Sequence, residues 1–265
     1  MSIIDFFGNV IKPKKLAGTG CLNPQNTGFV NERIVAVRQY DVNIWLISCG
    51  SKYIAIDSGY KDYKNAKEEI KKLGIDPDSI EKLFLTHADM DHAGGLVSAE
   101  KLFKNAQVFL HRAEEDMLLG IEKRFRFGPI KLKNPVAYSG KYTLLNDDDE
   151  VKEENSSIRL IHIPGHTPGH SGYLVDESIL VTGDSIAFNA KGGFCFFPLF
   201  NMSTKENLKS LVRLKMRFED CMPKIFLSSH SGVYTGDNAF SNINTPAKGS
   251  KKRPFDERAP YDVFK

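Results

Sequence analysis

The stretch THADMDHAGG, residues 86–95, places two histidines and two aspartates between positions 87 and 92. Side chains at i and i+2 of an extended segment point the same way, so His87 and Asp89 can share one metal ion. Asp91 and His92, in the turn that follows, can face a second ion. Crowding Asp89 against Asp91 without a cation would be electrostatically unfavourable. A single histidine after a strand is more often a hydrogen-bonded structural residue, but these four side chains together predict a metal site.

The segments around this loop alternate between strand-like and helix-like patterns. Residues 81–85 are predicted to form a strand that runs into the loop, and residues 96–103 a helix that follows it. The alternation suggests an α/β fold in which two mixed β-sheets pack together with helices outside. The other predicted strands are 34–37, 43–48, 52–57, 107–110, 142–145, 158–163, 172–175, 179–182 and 225–228, and the other predicted helices are 62–73, 114–119 and 205–218.

Further motifs follow the first in a characteristic order. Four of the seven histidines lie beside carboxylates or glycines directly after predicted strands: His87, His92, His166 and His230. THADMDHAGG resembles the HxHxDH signature of the metallo-β-lactamase superfamily. The segments IPGHTPGH (163–170), VTGDS (181–185) and SSHSG (228–232) resemble its later ligand segments, and IDSGY (56–60) is similar to its early strand-end segment. The resemblance therefore runs from about residue 43 to residue 232.

This resemblance implies a four-layer αββα sandwich and a site for two divalent metal ions, zinc first. It assigns as ligands His87, Asp89, Asp91, His92, His166, Asp184 and His230. Asp184 is expected to bridge the two ions. Asp57 and His170 are expected to support the ligands without binding an ion themselves, Asp57 by hydrogen-bonding a ligand histidine and His170 through a structural hydrogen bond. The plainer alternative for Asp57 is a turn residue before Ser-Gly.

The predicted activity is that of a metal-dependent hydrolase. Two divalent ions can present a bridging hydroxide at neutral pH and polarise a carbonyl oxygen, and Asp91 is the predicted catalytic carboxylate beside them. We expect no export signal in residues 1–15 and too few residues after His230 for the helical domain of glyoxalase II. DMDHAGG is close in spacing to the N-acyl-homoserine lactonase branch, so a small ester, lactone or thioester is the expected substrate.

Asp89 departs from the family pattern, because HxHxDH has a second histidine at this position. An oxygen ligand is harder than imidazole, so we hypothesise a shift from zinc toward iron or manganese at the ion held by His87, Asp89 and His166. A milder interpretation is that Asp89 does not bind and one ion is retained. The alternative function is a diiron oxidoreductase or oxygen-handling protein related to the flavodiiron proteins, and a third is a binding protein without turnover.

Two segments are candidates for the border of a substrate pocket. Phe194, Phe196, Phe197 and Phe200 follow Asp184 and could form an apolar wall, although aromatic clusters are usually core. The basic insert 122–133 (EKRFRFGPIKLK) could be a lid that attracts anions. The plainer alternative is a solvated basic face.

The composition excludes several other classes. A net charge of +3 from mixed acidic and basic residues gives no indication of nucleic-acid binding, and no apolar run is long enough for a membrane span. Four scattered cysteines favour reduced thiols and hence a cytoplasmic protein. We expect one domain over residues 1–241, an irregular tail over 242–265, and a small-molecule substrate as partner. A homodimer is compatible with the sequence.

Overall fold

A computed structural model of the protein describes residues 23–61, 63, 65–127 and 130–247, with the backbone alone at 125–127 and 130–132. Most of the predicted tail, residues 248–265, therefore lies outside the described residues. Within these ranges, no helix is long and apolar enough to cross a membrane.

The first sheet has seven strands and contains the strand that leads into the 86–95 loop. Its strands are Gly28–Phe29 (β1), Ile34–Gln39 (β2), Val42–Ser48 (β3), Tyr53–Ile56 (β4), Lys82–Phe84 (β5), Gln107–His111 (β6) and Tyr142–Leu145 (β9), in the order β1-β2-β3-β4-β5-β6-β9. The strands β1 to β4 pair antiparallel, and β4, β5, β6 and β9 pair parallel. The sheet is therefore mixed.

The second sheet has six strands and is also mixed, because β13 and β16 pair parallel. Its strands are Glu150–Glu153 (β10), Ser156–His162 (β11), Ser171–Val175 (β12), Ile179–Gly183 (β13), Ile225–Ser228 (β16) and Gly232–Tyr234 (β17). A three-stranded sheet contains Ile186–Asn189 (β14), Gly192–Cys195 (β15) and Asn242–Pro246 (β18), and a separate hairpin contains Lys123–Phe127 (β7) and Ile130–Lys133 (β8). In the described part of the chain, the α-helices are Ala66–Lys72 (α1), Glu115–Leu118 (α2) and Thr204–Arg217 (α3), and the 3-10 helices are Pro77–Ser79, Gly94–Val97 and Arg112–Glu114.

Both faces of the central strands β2 and β3 of the first sheet are buried, which explains their nearly continuous apolar sequences. In β2, Ile34 and Ala36 belong to a core cluster shared with the second sheet. Val35 and Val37 belong to a different cluster, which includes Ile70 of α1. Successive side chains of a strand point to opposite faces, so the alternation places one core between the sheets and another under the outer helices.

The second sheet is covered on its outer face by α3 and by the three-stranded sheet. Leu211 and Leu214 of α3 share a core cluster with Leu180 and Phe226. Ser203 caps α3, because its side chain accepts a hydrogen bond from the backbone N–H of Glu206. Helices thus flank two packed sheets, and the predicted αββα sandwich is confirmed.

The predicted helix at 96–103 is wrong. Only the 3-10 helix Gly94–Val97 forms there, and Ser98 after it is extended. The chain lies against the segment after β4, since a Cβ added at Gly95 would come 2.3 Å from the carbonyl oxygen of Ser58. The backbone of this turn thus packs directly on a distant segment, and a local sequence pattern does not contain that information.

The irregular tail predicted from residue 242 is also wrong at its start. Residues 242–246 form β18, which pairs parallel with β15. Ile243 is almost fully buried, in the core cluster that contains Phe240. Burial of this side chain secures a strand in a stretch whose polar composition suggested none, and the ordered fold extends beyond residue 241.

Candidate metal site

All seven predicted ligands follow the ends of strands. The 87–92 loop comes after β5, His166 lies between β11 and β12, Asp184 directly follows β13, and His230 comes shortly after β16. Because β13 and β16 run parallel, their carboxyl ends lie at the same edge of the second sheet. The topology therefore explains how distant parts of the chain meet.

The seven side chains form one buried cluster. Three groups of possible ligands each have donor atoms within 4.8 Å of one another: His87, Asp89 and His166; His87, His92 and Asp184; and Asp91, His92 and His230. The groups share His87 and His92. His230 Nε2 lies 3.2 Å from Asp91 Oδ2 and 3.2 Å from Asp184 Oδ2, so the last group also contacts Asp184.

Each of the four histidines directs its Nε2 atom toward the carboxylates and has its Nδ1 atom anchored by an oxygen. The four anchoring contacts are His87 Nδ1 to Thr86 Oγ1 (3.0 Å), His92 Nδ1 to Asp57 Oδ2 (2.8 Å), His166 Nδ1 to Asn201 Oδ1 (3.2 Å) and His230 Nδ1 to the Asp41 carbonyl oxygen (2.6 Å). A histidine that donates from Nδ1 keeps the Nε2 lone pair for a metal ion.

This arrangement fits divalent cations. The Nε2 atoms of His87 and His92 are buried, and neither has a hydrogen-bond partner within the described ranges. An unpaired buried polar atom is costly, and an ion that accepts the lone pair would remove the cost. Thr86 Oγ1 donates to Asp57, so it can only accept from His87 Nδ1, which leaves the His87 lone pair at Nε2.

The electrostatics of the histidines differ within the cluster. Burial, together with the neighbouring His92, lowers the pKa of His87 to about 3. Burial alone would lower the pKa of His92 as well, but Asp184, Asp91 and Asp57 raise it well above its usual value. The cluster thus has an excess of negative charge around His92, where a divalent cation would be stabilised.

His170 does not present a free lone pair to the cluster. Its Nε2 accepts a hydrogen bond of 2.9 Å from the backbone N–H of Asp184, and its Nδ1 lies 3.2 Å from the Ile163 carbonyl oxygen. Both ring nitrogens are therefore used. The contacts place His170 behind the bridging candidate Asp184, as a support for its backbone.

Glu114 was missed by the sequence analysis. This buried carboxylate accepts hydrogen bonds from the backbone N–H groups of Ala88 and Gly169, both at 2.9 Å, and from Thr167 Oγ1 at 2.7 Å. It joins the loop of His87 to the loop of His166. Burial raises its pKa to about 7 despite these donors. In sequence it begins an acidic run in a short predicted helix, which gave no signal of burial.

Arg124 was also missed, because the basic insert 122–133 was interpreted either as a lid or as a solvated face. The Arg124 side chain is only 6% exposed and forms a bidentate ion pair with Asp89, so the solvated-face interpretation is wrong for this residue. Lys123 and Lys133 are exposed. The side chains of Arg126 and Lys131 lie outside the described residues. A cation beside a buried carboxylate offsets the cost of burying its charge, and Arg124 supplies that cation for Asp89.

The predicted aromatic wall lies partly beside the cluster. The Phe196 ring is fully buried, with its centroid 5.2 Å from that of His166 and 5.9 Å from that of His230. Phe197 packs on Phe196 at 5.2 Å, and Phe194 is half-buried in the same small core cluster. That these rings border a substrate pocket stays a prediction.

Sequence comparisons cover much of the chain. The profile of the metallo-beta-lactamase superfamily matches residues 37–217. A hydroxyacylglutathione hydrolase of Aeromonas hydrophila is 29% identical over 62% of this chain and 54% of its own length. An N-acyl homoserine lactonase of Bacillus thuringiensis is 26% identical over 59% of this chain and 58% of its own length. The chain spans between about half and two thirds of the first curated relatives.

Solved structures show the same fold at low sequence identity. A B3 metallo-beta-lactamase described as having an active-site glutamic acid superposes with a TM-score of 0.62 at 20% identity, covering 87% of this chain and 88% of its own. The subclass B3 enzyme MEM-A1 from a soil metagenome gives a TM-score of 0.60 at 20% identity, covering 79% of this chain and 81% of its own. At this identity the likeness concerns the fold alone.

Proposed function

Because the chain belongs to the metallo-beta-lactamase superfamily, we propose that it is a metal-dependent hydrolase that cleaves a small ester, lactone or thioester. One observation carries the proposal. Seven buried side chains from four separated segments bring their ligand atoms together in contiguous groups, with the Nε2 atoms of His87 and His92 directed inward and without hydrogen-bond partners among the described residues.

The relatives support the substrate class. Their names describe hydrolysis of a hydroxyacylglutathione, which is a thioester, and of an N-acyl homoserine lactone. In both reactions water attacks an acyl carbon. We therefore propose that the substrate of this chain is a small activated acyl compound. We propose neither nucleic acids nor membranes as its partners. We propose the cytoplasm as its compartment.

The proposed cofactor is a pair of divalent ions, zinc first, with iron or manganese admitted by the carboxylate of Asp89. When bound, such ions supply a water acidic enough to ionise near neutral pH and polarise the substrate carbonyl. Asp184 lies within 3.5 Å of the Nε2 atoms of His92 and His166, which suits a ligand placed between two ions. Asp91 Oδ2 is the proposed acceptor for the proton of the attacking water.

The diiron alternative depends on Asp89 as a metal ligand. Both oxygens of Asp89 contact Arg124 in the structure, and this pairing weakens the case for a carboxylate-rich iron site. We therefore propose hydrolysis before oxygen chemistry. Iron in the purified protein, with oxygen consumption and no hydrolysis, would favour the alternative.

The test is a substrate panel with zinc-loaded protein. We expect turnover of at least one member among an acyl-glutathione thioester, an N-acyl homoserine lactone and a simple carboxylic ester, and little turnover of a phosphodiester. Asp184→Asn should abolish that turnover. Asp220→Asn, at an exposed position, is the matched control and should keep it. If Asp184→Asn keeps the activity, or if zinc-loaded wild type hydrolyses none of these substrates, the proposal is contradicted.

A further inference from the structure

Arg124 reaches the predicted metal cluster from the β7–β8 hairpin. Its Nε atom lies 2.6 Å from Asp89 Oδ1 and its Nη2 atom 2.7 Å from Asp89 Oδ2, an arrangement that uses the fork of the guanidinium on one carboxylate. Nη2 also donates to the carbonyl oxygen of Phe200 at 2.7 Å and lies 3.2 Å from His166 Nε2. Four contacts thus fix the guanidinium inside the protein.

These contacts coincide with one of the three ligand groups. Asp89 Oδ2 and His166 Nε2 are two of the ligand atoms in the group of His87, Asp89 and His166. Nη2 of Arg124 is within 3.2 Å of both. His166 donates from Nδ1 to Asn201, so the Nε2 lone pair that would bind an ion is the one that faces Arg124. The guanidinium and an ion therefore compete for this lone pair, whereas a carboxylate oxygen of Asp89 could contact both.

The competition is electrostatic as well as steric. A divalent ion bound by His87, Asp89 and His166 would be a direct neighbour of the guanidinium charge, and the two cations repel at short distance in a buried site. In the group around His92, by contrast, the close contacts join His230 to Asp91 and Asp184. That group therefore brings two carboxylates together, whereas Asp89, the one carboxylate of the first group, is already paired with Arg124.

From this difference we infer that Arg124 is an internal cation of the His87, Asp89 and His166 subsite, and that the protein loads its ions in order. The subsite of Asp91, His92, Asp184 and His230 binds first and tightly. The other subsite binds an ion only when Arg124 withdraws. Among the described residues the hairpin is a sheet of its own, so withdrawal of Arg124 does not require either main sheet to lose a strand pairing. The inference rests on the metal-binding part of the proposed function.

Arg124 is a positioning residue in this scheme, since it acts through Asp89. It keeps Asp89 and His166 oriented in the singly loaded protein, and it supplies a positive charge where a second ion would otherwise bind. At low ion concentration the substrate would therefore meet one bound ion and one guanidinium, and it would meet the pair of ions of the proposed function once a second ion displaces Arg124.

The test counts zinc ions in chelator-treated full-length protein, using calorimetric titration with Zn²⁺ and native mass spectrometry. For wild type we expect one tight ion and a second that binds more weakly by a factor on the order of 10 to 100, the range typical of a disturbed ligand partner. Arg124→Met should bring the second affinity close to the first. Lys123→Met removes an exposed basic side chain from the adjacent position and should behave as wild type.

A second variant covers the case in which Arg124→Met does not fold, since it leaves Asp89 without its partner. Asp89→His removes the carboxylate that holds Arg124 and offers an imidazole, and it should also bind two ions of similar affinity. Two ions of equal affinity in wild type, or one ion in both variants, would overturn the inference while leaving the proposed hydrolase standing. No zinc binding by any of these proteins would overturn both.

Discussion

Asp57 Oδ2 lies 2.8 Å from His92 Nδ1, although the two residues are 35 positions apart in the chain. The carboxylate fixes which ring nitrogen of His92 carries the proton. It also accepts hydrogen bonds from the backbone N–H and the hydroxyl of Thr86, whose neighbour is His87. A single buried side chain therefore orients two of the predicted ligands.

Asp57→Asn should weaken metal binding. The asparagine keeps the shape and tolerates the positive φ of 65° at this position, but its NH₂ group cannot accept the proton of His92 Nδ1. His92 would then favour the tautomer with the proton at Nε2, where the ion should bind. We expect zinc affinity to fall about 10- to 100-fold in calorimetric titration. Affinity equal to that of Asp220→Asn would refute a tautomer-setting role.

His170→Leu should destabilise the protein even in the absence of metal. The substitution leaves the buried N–H of Asp184 without its acceptor, which typically costs about 1–3 kcal/mol. His170→Gln offers an amide oxygen in the same region and should cost less. Urea unfolding of both variants in chelator gives the comparison, and equal stability of the leucine and glutamine variants would show that packing alone matters at this position.

Glu114 should make stability depend on pH. Its pKa is raised to about 7 in the folded protein by burial, above the ordinary value of 4.5. A carboxyl with a raised folded pKa contributes stability below pH 4.5 and loses it as the pH rises through about 7. The shift corresponds to about 3 kcal/mol over this window. Relative to Glu114→Gln, wild type should therefore become less stable from pH 4.5 to 7.

That comparison uses urea unfolding of both proteins at several pH values, with chelator present throughout. The glutamine variant cannot titrate at this position, so the difference between the two curves isolates Glu114 from the other ionisable groups. A difference that stays constant across the window would mean that the carboxyl titrates near its ordinary pKa.

Gly95→Ala should be more destabilising than Gly74→Ala. A Cβ at Gly95 would meet the Ser58 carbonyl oxygen at 2.3 Å, so the ligand loop and the segment after β4 would have to separate. Overpacking of this kind typically costs about 1–3 kcal/mol or more. A Cβ at Gly74 has nothing within 4 Å, and only its φ of +81° opposes alanine. Thermal unfolding of the two variants gives the order, and a larger loss for Gly74→Ala would contradict it.

The sequence by itself determined most of the strands that form the two sheets and the family to which the chain belongs, but the edge strands β1, β10 and β17 were not predicted. Strands such as 142–145 and 225–228 were predicted with the bounds that the structure has. A strand buried on both faces has a continuous apolar pattern that can be read locally. The metal motif at 86–95 could be recognised equally well, because four of the predicted ligands lie close together between residues 87 and 92.

Tertiary structure alone decided which charged side chains enter the cluster. Arg124 contacts Asp89 from 35 positions away, and Glu114 contacts Gly169 from 55 positions away. In the sequence both residues stand among similar charges that are exposed, such as Lys123 and Glu122. The cost of burying a charge is offset only by a particular partner at hydrogen-bond distance, and that partner is chosen by the packing of distant segments, which no local pattern encodes.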